Sequence, residues 1–399
     1  MKKETNRTLS KLTAVILTLV ILLCSAPVTA LPVGAANSDD LTFELSDDGL
    51  SYIVSRCKES AAGELVIPST YKSKPVTGIG DEAFYACSAL TAVTIPEGVT
   101  SIGVLAFAFC TNLASINLPN SIEIVKYGAF IETKWLDNQP EGVFYIAGIA
   151  LGYLGEMPQN MTLTIAEGTR VIGESAFFNC SNIVAVNLPG SLRRIEPWAF
   201  GECGNLTSIN IPEGVTTICE EAFYDSSNLA TINFPDTIES IGYSAFYGTA
   251  WIANKPDGVV YIGDIAYEYK GDTIPAGTHI TINPGTRVIA DSCFDWKSGL
   301  ASVSIPDSVT TIGRAAFRHC SDLVTIDVPE SVTSIGEGAF CQNEKLLSIN
   351  IAADNPNYLS DDGIVFNKTL TTLVAFPAGK DITSYVIPDT VTTIYGSAF

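Results

Sequence analysis

Ala-Phe pairs recur along this chain at a fixed interval. They end at Phe84, Phe107, Phe130, Phe177, Phe200, Phe223, Phe246, Phe317, Phe340 and Phe399, with a Cys-Phe variant at Phe294. Seven of the ten successive spacings are 23 residues, and two others, 47 and 48, are close to twice that. A period in the range of roughly 20 to 50 residues marks a stack of like units, not a set of unlike domains.

One unit shows what each copy builds. From Leu206 to Phe223, Ile209 and Ile211 alternate with Asn210, the period-2 pattern of a strand with one buried face. Pro212 stops the strand because it has no N–H for a continuing ladder. Val215 and Ile218 then turn inward along the next side, and Ala222-Phe223 falls on a short helical or tight turn that fills the interior. Ordering a backbone costs about 1–2 kcal/mol per residue, more than one coil's few apolar side chains can offset. Only stacking closes that gap, so the copies must form a continuous core.

Ile95-Pro96, Val99, Ile102-Gly103, Ala106-Phe107, Cys110 and Leu113 give the clearest copy of the unit. The pattern resembles the BspA-like leucine-rich repeat family, and it covers nearly everything from Val66 to Phe399. The resemblance implies an α/β-type repeat solenoid. Its parallel β-sheet would line the concave face, with short turns or helical segments on the convex face. It also implies a secreted or surface-exposed bacterial protein, often adhesive toward host proteins or other cells.

A longer duplication overlies the short one. Trp135, Pro140, Gly142-Val143 and Tyr145-Ile146 recur as Trp251, Pro256, Gly258-Val259 and Tyr261-Ile262, 116 residues later. Each insert reads as a β-hairpin, near 135–155 and 251–271, and a third is expected near 355–378. Residues 37–67, with Phe43, Leu45, Tyr52, Ile53 and Val54, read as an N-terminal β cap on a solenoid spanning 68–399. Because Ala398-Phe399 falls in mid-repeat, the array is expected to continue beyond it.

Residues 1–36 read as a secretory signal: Lys2, Lys3, Arg7 and Lys11, then an apolar run to Cys24, then small residues at Ala30 and Ala36. The run is shorter than the roughly 20 residues that span a bilayer. The chain carries a formal net charge of −21, and losing the leader makes it more acidic still. Phosphate backbones and anionic lipid are therefore disfavoured partners. The expectation is a monomer that binds extracellular proteins or glycans, with no nucleic-acid partner and no membrane insertion after cleavage.

Ten cysteines in an exported chain would ordinarily suggest a disulfide framework. Cys87, Cys110, Cys180, Cys203 and Cys320, however, all lie three residues after an anchor Phe. Stacked, they form a column of small buried hydrophobes, and a regular column isolates no pair and offers no tetrahedral spacing. Core thiols are preferred over inter-rung disulfides or a metal site, and Cys110, Cys180 and Cys203 should be buried and reduced.

Two surfaces are candidates for binding. The first is a polar row at the exposed centres of the strands: Thr94, Asn117, Asn187, Asn210, Asn233, Ser304, Asp327 and Asn350. Such residues stand about 4.8 Å apart on a sheet. They could bind a partner or simply satisfy one another. The second is the set of hairpin aromatics Trp135, Tyr145, Trp251, Tyr261, Tyr267 and Tyr269, as stacking platforms or as filling where the repeat is interrupted. Carboxylates after the Pro turns, such as Glu97, Glu213 and Asp307, read as turn residues, and no metal or cofactor is expected. Only His279 and His319 are present and no catalytic fingerprint occurs, so the chain is not expected to be an enzyme. The alternative to a binding module is a spacer that holds a further anchor or catalytic module away from the cell.

Overall fold

The structure, a computed structural model, describes residues 36–271 and 273–399. Apart from Ala36, the leader expected at the start lies outside them. The described chain divides into two compact units. One runs to Pro212 and includes Ala222–Thr231; the other comprises Glu213–Glu221 and Ile232–Phe399. Both are β-solenoids of stacked parallel strands, with hardly any helix.

Each 23-residue rung contributes two strands, not one. In the first unit Gly63–Val66, Leu90–Thr94 and Ser115–Asn117 form one parallel ladder, and Met161–Thr164, Ile183–Asn187 and Ser208–Asn210 another. The side expected only to turn inward carries its own parallel ladder, made mostly of two-residue strands. There Lys74–Ile79 pairs with Ser101–Ile102, which pairs with Ile124–Val125. The second unit repeats this arrangement, with Thr278–Thr281 on Leu300–Ser304 and Thr325–Val328 on Ser348–Ile351. Val288–Ile289, Thr311–Ile312 and Ser334–Ile335 form its shorter ladder.

Antiparallel hairpins interrupt the ladders. Gly142–Ile146 pairs with Ile149–Leu154, and Gly258–Ile262 with Ile265–Lys270. The third insert is a three-stranded meander, Tyr358–Asp361, Ile364–Asn367 and Thr372–Ala375. At the N-terminal end Leu41–Leu45 and Tyr52–Cys57 form a hairpin whose second strand joins Lys74–Ile79 in parallel. Gly63–Val66 already belongs to a repeat ladder, so the stack begins inside the stretch read as cap.

The anchor rings form columns. Phe84, Phe107 and Phe130 stack at centroid distances of 4.7 and 5.6 Å, with interplanar angles of 11° and 4°. Phe177, Phe200 and Phe223 repeat this at 5.4 and 5.4 Å, and Phe294, Phe317 and Phe340 at 5.2 and 6.0 Å. Offset parallel rings at such separations add about 0.5–1.5 kcal/mol per pair beyond area burial. The first column ends on Trp135, 4.9 Å from Phe130, and Phe246 meets Trp251 at 5.3 Å.

The anchor turn is not helical. Two residues before the anchor, Glu82, Leu105, Gly128, Ser175 and Trp198 have positive φ in the first unit. Two residues after it, Ala86, Phe109, Glu132, Asn179 and Glu202 do too. Ser292, Ala315, Gly338, Trp296, His319 and Gln342 continue the pattern in the second. A non-glycine residue there costs roughly 1–2 kcal/mol. Hydrogen bonds between rungs over-determine it: the N–H groups of Glu82, Phe84 and Ala86 donate to the carbonyls of Val104, Ala106 and Ala108 at 2.8, 2.7 and 2.9 Å.

Candidate binding surfaces

The polar row lies on the longer-strand ladders. In the first unit Thr94 stands opposite Asn117, and Thr164 opposite Asn187. Val186 pairs with Ile209, which puts Asn210 one position further along in the same register. Asn117, Asn187 and Asn210 are exposed, while Thr94 is half-buried. The strands end on the asparagines, so these residues sit at the strand exits and not at the centres. In the second unit Asn233, Ser304, Asp327 and Asn350 are exposed, and Asp327 faces Asn350.

Part of the row bonds to itself. Asn187 Nδ2 donates to Thr164 Oγ1 at 3.2 Å, and Asn350 Nδ2 to Asp327 Oδ1 at 2.8 Å. His279, which sequence reasoning set aside, joins the same face. Its Nδ1 lies 2.7 Å from Ser302 Oγ, and its Nε2 lies 3.1 Å from Ser304 Oγ. Each such bond fixes a side chain that a partner would otherwise have to order.

The hairpin aromatics do not form a platform. Trp251 and Tyr267 are buried, at 7% and 2% exposure, and Trp135, Tyr145, Tyr261 and Tyr269 are half-buried. The physical reason is structural work at the interruptions. The two Trp rings pack on the anchor rings Phe130 and Phe246, and Tyr hydroxyls accept backbone N–H groups beside the inserts. Tyr145 Oη takes the Ala166 N–H at 2.9 Å, Tyr261 Oη that of Asn283 at 3.0 Å, and Tyr267 Oη that of Phe246 at 3.1 Å. Burial, the nearby Glu268 charge second, pushes the Tyr267 hydroxyl well above its ordinary pKa. Tyr269 packs 6.2 Å from Phe294 with the Lys297 ammonium over its ring.

An exposed aromatic does occur elsewhere. Trp296, 66% exposed, stacks on His319 at 3.6 Å, and beside them Arg318 Nε donates to Asp295 Oδ1 at 3.0 Å. Trp296 and His319 each follow an anchor Phe by two, a signal the sequence carried without showing that this position points outward. Among the described residues no group of His, Cys, Asp and Glu could hold a metal ion, and no helix is long and apolar enough to cross a membrane.

A family profile described as the BspA-type leucine-rich repeat region matches residues 62–139, 159–273 and 272–399, in six copies. The chain belongs to this family. Comparison with curated proteins gives no match. Among solved structures, a T. pallidum leucine-rich repeat protein is 27% identical over 55% of this chain and 90% of its own, with a TM-score of 0.30. A Bacteroides ovatus leucine-rich repeat protein is 25% identical over 79% and 88%, with a TM-score of 0.32. The pneumococcal vaccine antigen PcpA is 16% identical over 92% and 94%, with a TM-score of 0.29.

In this BspA-type array the third residue after the anchor is a hydrogen-bond donor as well as filling. Cys110 Sγ donates to the Phe84 carbonyl at 2.9 Å, Cys203 Sγ to that of Phe177 at 3.1 Å, and Cys320 Sγ to that of Phe294 at 3.1 Å. Ser226 Oγ serves Phe200 at 2.6 Å and Asn343 Nδ2 serves Phe317 at 2.8 Å, always 26 residues back. Residues that share only a donor thus replace one another. Cys87, Cys110, Cys180, Cys203 and Cys320 are free thiols; all are buried except Cys180, which is half-buried. Burial pushes Cys180 up to about 11 and Cys110 and Cys320 up to about 12.

Proposed function

We propose that the chain is a binding module, exported to the cell surface or beyond as a monomer, that meets a protein or glycan through the polar row of its longer-strand ladders. The reading rests on one observation: Asn117, Asn187 and Asn210 are exposed at one register position where the fold demands only that the flanking residues be apolar. Amides both donate and accept, so such a row suits neutral or basic partners of a chain with net charge −21. The apolar run and small residues near its start support export.

The test replaces Asn117, Asn187 and Asn210 together with Ala. Each exposed position should change stability by no more than about 0.5 kcal/mol. Capture of ligands from an array of neutral glycans and a panel of basic extracellular proteins should weaken, by about 1 kcal/mol for each hydrogen bond lost. Capture that survives the triple substitution unchanged removes the strand face as the site. A wild-type chain that captures nothing leaves the spacer reading in its place.

A further inference from the structure

Cys57 and Cys87 stand apart from the other cysteines. Cys57 closes the strand Tyr52–Cys57, and Cys87 is the donor position of the first anchor, Phe84. Both are buried, at 3% and 1% exposure. No anchor Phe precedes Phe84 by a rung, so Cys87 lacks the acceptor that Cys110 finds at 2.9 Å. Its contacts are long: the Cys57 carbonyl at 4.0 Å and the Lys58 carbonyl at 3.8 Å. Cys57 Sγ reaches that same Lys58 oxygen at 3.6 Å, so both sulfurs converge on one atom.

We propose that Cys57 and Cys87 are a disulfide site that locks the N-terminal hairpin onto the first rung when the chain meets an oxidising compartment. The surroundings suit thiol–disulfide exchange. The Cys57 S–H stabilises a Cys87 thiolate and holds it below the ordinary thiol range, whereas Cys57 itself is pushed up by Cys87 and by burial. An open depression of about 430 Å3, lined by Thr42, Arg56, Cys57, Lys58, Glu59 and Ser60, opens on the Cys57 side of the pair. With oxidised glutathione as oxidant, the Cys87 thiolate attacks one glutathione sulfur, forms a mixed disulfide and expels the other as thiolate. Cys57 gives up its proton and displaces the second glutathione from Cys87. Two protein thiols are oxidised, one glutathione disulfide is reduced to two thiols, and the protons pass to them.

Such a bond would close a loop containing Gly63–Val66, Thr70–Tyr71 and Lys74–Ile79, and so would hold the end of the stack where rungs fray most readily. The core column should take no part, because Cys110, Cys203 and Cys320 are each engaged by a carbonyl at 3.1 Å or less.

The full chain is equilibrated with oxidised glutathione, unfolded without reductant, alkylated and mapped by peptide mass spectrometry. The expected result is one linked pair of peptides, carrying Cys57 and Cys87, lighter than their sum by two hydrogens, with Cys110 and Cys203 alkylated. Tryptic nicking after Lys72 should then leave fragments that separate only on reduction. In Cys57→Ser, checked for wild-type circular dichroism, Cys87 should be alkylated and nicked fragments should part without reductant. Alkylation of both Cys57 and Cys87 in the wild-type chain, or linkage of Cys87 to Cys110, overturns the proposal. The map of the wild-type chain decides even where the variant fails to fold.

Discussion

Ser226 offers the sharpest check on how successive rungs are fastened. Its hydroxyl is fully buried, donates to the Phe200 carbonyl at 2.6 Å and accepts the Cys203 N–H at 3.0 Å. Ser226→Ala removes both bonds at a position closed to solvent. The Cys203 N–H can fall back on the Phe200 carbonyl, as the Cys110 N–H does on Phe107 at 3.2 Å. The net loss is then about one hydrogen bond, worth roughly 0.5–1.5 kcal/mol. Ser226→Cys instead restores a donor that the neighbouring rungs use at 2.9–3.1 Å, so it should cost less than about 1.5 kcal/mol, chiefly from the larger sulfur. Urea unfolding followed by tryptophan fluorescence gives both numbers. Exchange protection at the Cys203 amide shows that the change is local. If Ser226→Ala falls within about 0.5 kcal/mol of wild type, the donor role assigned to this position is wrong.

Three further outcomes follow from other parts of the structure. Tyr267→Phe removes the hydroxyl that accepts the buried Phe246 N–H and should cost about 1–3 kcal/mol in the same unfolding assay; a neutral result would refute the structural role of this bond. Gly128→Ala places a Cβ 2.7 Å from Leu105 Cδ2 at a φ of +65° and should cost about 1–2 kcal/mol, which a wild-type midpoint would contradict. Burial holds the Glu268 carboxyl above the usual carboxylate range, against the pull of Lys297 and Lys270. The stability it contributes is full below the ordinary carboxylate pKa and is lost as pH rises through the folded value, so Glu268→Gln should flatten that decline in a pH series of urea midpoints.

The sequence exposed what repeats and hid what the repeats impose on one another. The spacing of Phe84, Phe107 and Phe130 announces a stack because a ring every 23 residues has no other common explanation. The left-handed backbone at Glu82, Ser175 or Trp198 leaves no trace in residue choice, since inter-rung hydrogen bonds override local preference. Strands as short as Thr217–Ile218 are below the length at which alternation can be read. The polar row was legible because exposed and buried positions alternate along the longer strands, as at Ser208–Asn210. The hairpin aromatics were not, because hydropathy cannot say which face of an insert turns toward an open column end. Cys57 lies outside the repeat, where periodicity is silent.

The donor that follows each anchor carries one more implication, for how a gene like this grows. Phe177, Phe200 and Phe317 have their carbonyls completed by Cys203, Ser226 and Asn343 of the next copy. Each of these copies thus brings the closure for its predecessor. An unequal crossover that adds or deletes whole copies of this kind leaves the junctions between them chemically complete. The block of 116 residues that occurs twice here, with Thr133 and Thr249 at matching places, is the kind of lengthening such a rule lets a lineage accept in one step.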